Sequence, residues 1–135
     1  MSYYFATTLA GTFDEVTERA RQALKDQGFG IISEIDIQKT LHEKIGVDFR
    51  RYTILGACNP SLAYEALQIE DKVGTMLPCN VVVQERSDGI EVAAIDPVAS
   101  MQAIENQELS AKAAVVAEKL KAAIEMLGLP AEAVG

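Results

Sequence analysis

A chain of 135 residues with a formal charge of −8, 49% hydrophobic and 24% charged residues, has the composition of one globular domain able to bury a core without staples. Its acidity argues against a nucleic-acid or anionic-membrane partner, because phosphates repel a negative surface. No run of about 18 apolar residues offers a membrane span. Met1-Ser2-Tyr3-Tyr4 lacks the basic start and apolar stretch of a signal peptide, so two cysteines without an export signal place the chain in a reducing cytoplasm, with free thiols.

Residues 2–9 alternate Tyr3, Phe5, Thr7 and Leu9 against Tyr4, Ala6 and Thr8, which predicts a first strand. Gly11 breaks it. Thr12 with Glu15 forms a capping-box signal. The helix behind it sets Phe13, Val16, Ala20, Ala23 and Leu24 on one face and ends with Gly28 at C′. Residues 29–37 predict a second strand, with Phe29, Ile31, Ser33, Ile35 and Ile37 on one side and Ile32, Glu34 and Asp36 on the other. Ile37, Leu41 and Ile45 then recur every four residues, a short helix ending before Gly46.

Tyr52 to Cys58 is the third predicted strand, and Asn59-Pro60 starts a helix as N-cap and N1 residues. Leu62, Ala63, Ala66, Leu67 and Ile69 form its apolar face, with Gly74 in the loop beyond. Cys79 to Glu85 and Ile90 to Ile95 are the fourth and fifth strands, joined by a type I′ turn at Asp88-Gly89. Asp96-Pro97 caps a short helix carrying Val98, Met101 and Ile104. A longer last helix carries Leu109, Ala113, Val116, Ala117, Leu120, Ile124 and Leu127. Gly128 ends it, so residues 1–128 read as one domain and 129–135 as a loose tail. The expected class is α+β, with a largely antiparallel five-stranded sheet covered by the first and last helices.

Both cysteines are followed by asparagine: Cys58-Asn59 closes the third strand and Cys79-Asn80 opens the fourth. Strand ends and their loops are where a rigid scaffold presents chemistry. If these strands pair antiparallel, Cys58, Asn59, Cys79 and Asn80 meet at one edge of the sheet; a parallel pairing would separate them. Cys58 precedes a helix N-terminus, where the dipole and free amides favour a thiolate. The plainer role is that of small residues filling tight strand ends. Arg50 and Arg51, before the third strand, are candidates to clamp a carboxylate or phosphate, against an ordinary role in surface charge pairing.

Residues 46–60, from Gly46 through Cys58-Asn59-Pro60, together with Leu77-Pro78-Cys79-Asn80-Val81-Val82-Val83 and Ala94-Ile95-Asp96-Pro97, resemble the bacterial and archaeal domain-of-unknown-function family 302. The resemblance spans the second strand to the final helix. It implies a β-α-β(4)-α arrangement of the TATA-box-binding-protein-like class, and a homodimer. It supplies no activity, and the DNA binding of the fold's namesake does not carry over to an acidic chain.

The expected function is a dimeric module binding a small molecule or a thiophilic metal at Cys58, Asn59, Cys79 and Asn80, with Arg50 and Arg51 as further candidates. A thiol redox enzyme or sulfur carrier, with Cys58 as nucleophile and Cys79 resolving it, is the alternative. An interaction domain with no site is the third. No cofactor is expected and no residues are assigned to a resident metal, since two cysteines and His42 lack the spacing of a structural zinc site. Glu34 and Asp36 share a strand face, which suits an acid/base pair less well than a solvated edge.

Overall fold

The computed structural model describes residues 2–129, so the tail expected at 129–135 lies outside the described residues apart from Leu129. Its order is β1 (Tyr4–Leu9), α1 (Phe13–Asp26), β2 (Gly30–Asp36), α2 (Ile37–Ile45), β3 (Tyr52–Cys58), α3 (Pro60–Ile69), a 3-10 helix (Asp71–Met76), β4 (Cys79–Arg86), β5 (Gly89–Ile95), α4 (Pro97–Ser100) and α5 (Gln107–Leu127). The strands form one sheet in the order β1-β5-β4-β3-β2, with every neighbouring pair antiparallel. This is the expected β-α-β(4)-α plan, with α2 and α3 inserted between strands.

Capping residues set most helix boundaries. The Thr12 hydroxyl accepts from the Glu15 N–H at 3.1 Å, and the Asn59 side chain accepts from the Leu62 N–H at 3.2 Å. Gly28, at φ +89°, follows the last turn of α1, and the Phe29 N–H returns to the Leu24 carbonyl at 3.0 Å. That is a closure which an L side chain would strain.

α1 and α5 lie together on one face of the sheet. Val16, Ala20 and Leu24 of α1 and Leu120 and Ile124 of α5 pack over Leu55, Val81, Val83, Val92 and Ala94 from the three central strands. Alternation along each strand makes this possible, since residues two apart share a face. A second, smaller cluster joins Ala66 of α3, Val73 of the 3-10 helix, Met101, and Leu109 and Ala113 of α5. α1 and α5 leave the other face of the sheet uncovered. No helix among the described residues is long and apolar enough to cross a membrane.

Four local expectations are corrected. A β-bulge between Ile31 and Ser33 shifts the register of β2. Ile31 therefore packs against the core while Ser33 and Ile35 face away, so the expected five-residue apolar side does not exist. The hairpin pairs Arg86 with Gly89, so its two loop residues are Ser87 and Asp88, and no described non-glycine residue has positive φ. Gly89 serves instead a close approach by β1: a Cβ there would stand 2.6 Å from the Leu9 carbonyl oxygen. The stretch after α3 is helical rather than a plain loop, because Val73 is fully buried against α3 and α5. Finally, α4 is a single turn that leaves Val98 exposed.

Candidate functional site

Antiparallel pairing of β3 with β4 sets Ala57 opposite Cys79, so Cys58 lies one residue past that pair. Both cysteines sit at strand ends, at one end of the sheet and in interior strands. They are free thiols, Cys79 buried and Cys58 half-buried. Between them the chain makes the α3 excursion, leaving along a helix that Asn59 caps and Pro60 opens, and returning through the 3-10 helix.

Cys58 and Cys79 both line one cavity of about 40 Å³, Cys79 from the core face of the sheet and Cys58 from the strand end, its side chain alternating to the other side of β3. It occupies the seam between the two hydrophobic clusters. Phe29, Ala57 and Cys79 come from the main core, and Ala66, Met101, Leu109 and Ala113 from the smaller one. α3 and α4 pack on α5 rather than on the strands, so the smaller cluster forms beside the main core instead of within it. Among the described residues lining it, Asn59 and Lys112 alone carry side-chain nitrogen or oxygen. Lys112 of α5 pairs with Glu65 of α3 at 3.1 Å, bridging the two helices beside the cavity.

Burial pushes the Cys79 thiol from an ordinary value of 9.0 up to about 11, and the neighbouring Cys58 adds to the rise.

The other predicted residues divide differently. Asn59 stands on the cavity wall but spends its side-chain oxygen on the α3 cap. Asn80 follows Cys79 in a strand, so it points to the open face, beside Tyr52 and Val82. Of the four residues expected to meet, Cys58, Asn59 and Cys79 line the cavity and Asn80 does not.

Arg50 and Arg51 precede the far end of β3, roughly 23–26 Å from Cys58 at strand rise, and neither reaches the cavity. The Arg50 guanidinium lies over the Phe49 ring at 4.4 Å and donates to Gln84 Oε1 at 2.9 Å; Gln84 in turn donates to Glu91. Arg51 packs over Phe13 at 4.2 Å and pairs with Asp14 at 3.0 Å, tying β3 to the start of α1. Glu34 is held by Arg21 at 2.7 Å and Asp36 caps α2 by accepting from the Lys39 N–H, so each carboxylate has its own structural partner. His42 is exposed on α2, 3.6 Å from Asp48. Among the described residues no group of three His, Cys, Asp or Glu side chains is gathered as a metal site.

Sequence reasoning missed Met101 and Lys112. Met101 follows Pro97 by four residues, the spacing that puts both on one side of a helical turn. It was read only as part of an apolar helix face.

The family model described as the domain of unknown function DUF302 matches residues 5–127. A crystal structure of an uncharacterized conserved DUF302 protein from Bacillus stearothermophilus is similar to this chain, with a TM-score of 0.86 and 27% identity over 93% of this chain and 98% of that one. None of the curated proteins matches. A match over nearly the whole sheet and both covering helices establishes kinship: the chain belongs to the DUF302 family.

Proposed function

We propose that this protein is a cytoplasmic, dimeric binding module in which Cys58 and Cys79 together hold one thiophilic metal ion or a ligand of comparable size. The observation that carries the reading is that two cysteines from neighbouring strands line one cavity of about 40 Å³ whose walls are apolar apart from Asn59 and Lys112. A single water needs roughly 10–15 Å³ of such volume, whereas pockets for organic ligands run to roughly 300–1,000 Å³. Size therefore favours an ion or a few-atom ligand over a metabolite. Thiolates are soft donors, which favours a soft metal.

Catalysis has less support. The thiolate is the nucleophile, and a thiol raised to about 11 is almost wholly protonated at neutral pH, which works against Cys79 as the resolving residue of a redox pair. Among the described residues neither a histidine nor a carboxylate lines the cavity to serve as base.

The open face of the sheet supports the dimer. A solvated antiparallel face ordinarily alternates to polar side chains, yet Tyr4, Ile35, Ile54, Val82 and Ala93 lie on this one by their register, beside the polar Asn80, Gln84 and Glu91. Five strands at ~4.8 Å spacing and ~20 Å length present a flat footprint of roughly 500 Å². Side-chain relief brings that toward the ~800 Å² each partner of a standard interface buries. A second copy of the chain is the occupant proposed, since the same patch meets itself across a two-fold axis.

Native mass spectrometry of the reduced, untagged protein offered Cu(I), Ag(I) and Zn(II) tests the binding reading. Retention of one soft ion per chain, lost in both Cys58→Ser and Cys79→Ser, is expected. A bare mass with every ion offered overturns it.

A further inference from the structure

We infer that residues 59–77, the excursion between the two cysteines, form a flap that swings off α5 as one body, is latched by the Glu65–Lys112 ion pair, and admits solutes to the cavity. The purpose of the flap rests on the binding reading above, while its motion is independent of which ligand enters.

Among the described residues, every hydrogen bond that this segment makes stays inside it. The Asn59 side chain and carbonyl accept from the Leu62 and Ala63 N–H groups. The Glu70 N–H donates to the Ala66 carbonyl, and the Glu70 carboxylate accepts from the Lys72 N–H. The Leu77 N–H donates to the Gly74 carbonyl, which closes the 3-10 helix. β3 ends at Cys58 and β4 begins at Cys79, so the ladder of the sheet stops where the segment starts. An outward swing therefore breaks no described hydrogen bond to the rest of the fold.

Two attachments hold the segment down. Only Ala66 and Val73 in it are buried, against Met101, Leu109 and Ala113. Its one described ion pair to the rest of the chain joins Glu65 to Lys112 of α5 at 3.1 Å, with both side chains partly exposed. A body with few buried apolar groups and self-contained hydrogen bonds lies at the low end of local stability. The same body walls the cavity, since Leu62, Ala63 and Ala66 of α3 and Leu77 line it together with Cys79. Moving it uncovers Cys79, which is otherwise buried. The hinges are element-terminal residues, as hinges commonly are, and each adjoins a cysteine.

Reduced, metal-free Cys58→Ser protein, which keeps Cys79 as its single thiol, is alkylated with iodoacetamide in increasing urea. Wild type runs alongside with Cys79 mapped by peptide, and hydrogen exchange read by mass spectrometry follows each segment. The amides of α3 and the 3-10 helix are expected to exchange together, ahead of β3 and β4. Cys79 should alkylate in step with them, at a rate nearly constant in low urea, because a local opening exposes little surface. Glu65→Gln should raise both rates by about twofold to fivefold, the range that a partly exposed ion pair carries. An unchanged rate in Glu65→Gln overturns the latch. Alkylation of Cys79 only with the steep urea dependence of global unfolding, or α3 amides as slow as those of β4, overturns the flap. Either failure leaves the metal titrations standing, whereas an opening flap on a protein that takes no ion overturns the binding reading alone.

Discussion

Raising the pH from 8 to 10 is expected to destabilise the metal-free protein through Cys79. Burial, reinforced by Cys58, holds this thiol near 11 in the folded chain against 9.0 when exposed. Below about pH 9 the group is protonated in both states, and the folded state keeps its full advantage. Between the two values the unfolded chain releases the proton while the folded chain retains it. The unfolded state then binds fewer protons, so stability falls with rising pH until the folded value is passed. At pH 10 the exposed thiol is roughly ten-to-one ionised and the buried one roughly one-to-ten, which corresponds to about 1.4 kcal/mol. The full difference, reached above pH 11, is about 2.7 kcal/mol. Urea unfolding at pH 8 and pH 10, under reducing conditions, measures the drop. Lysines and tyrosines titrate in the same range, so Cys79→Ala is run in parallel and the difference between the two drops isolates the thiol. The variant should lose about 1.4 kcal/mol less than wild type between the two pH values. Equal losses would refute the desolvated thiol and the closed cavity around it.

Gly56→Ala tests the packing beside the site. Its new Cβ would stand 2.7 Å from Pro78 Cγ and collide with the Ser33 hydroxyl, so a loss of about 1–3 kcal/mol is expected in the urea midpoint; a neutral result would contradict the register of β2 on β3. Ile54→Asp places a charge at the centre of the open sheet face. Sedimentation should show wild type as a dimer and the variant as a monomer with an unchanged circular dichroism spectrum, and a monomeric wild type would reject the proposed interface.

Elements carrying local stop and start signals were legible. Thr12, Asn59 and Asp96 each cap the helix that their position implied, because a side-chain oxygen satisfying a free amide is a short-range interaction written in adjacent residues. Antiparallel pairing of β3 with β4, which brings the thiols together, was a conditional reading, since nothing local distinguishes it from a parallel crossover.

The bulge in β2 was not legible. Ile31-Ile32 offers two apolar residues in a row, and only the fit against β3 decides which turns inward. Burial of Val73 depends on α5, far along the chain, and so the 3-10 helix had no local signature. Asn80 is a different case: two consecutive residues of a strand face opposite sides, so alternation alone excluded it from the face that Cys79 occupies. Repeated spelling obscured that. Met101 was hidden because a methionine in an apolar stripe carries no local sign of the cavity it lines.

The central claim is that Cys58 and Cys79 act as one site on one small soft ligand. Anomalous diffraction from a crystal prepared with one equivalent of Ag(I), a redox-inert mimic of Cu(I), tests it most directly. The expected result is a single silver peak bonded to both sulfurs within the seam between the two clusters. A peak on Cys58 alone, or silver bound only elsewhere on the chain, would contradict the account.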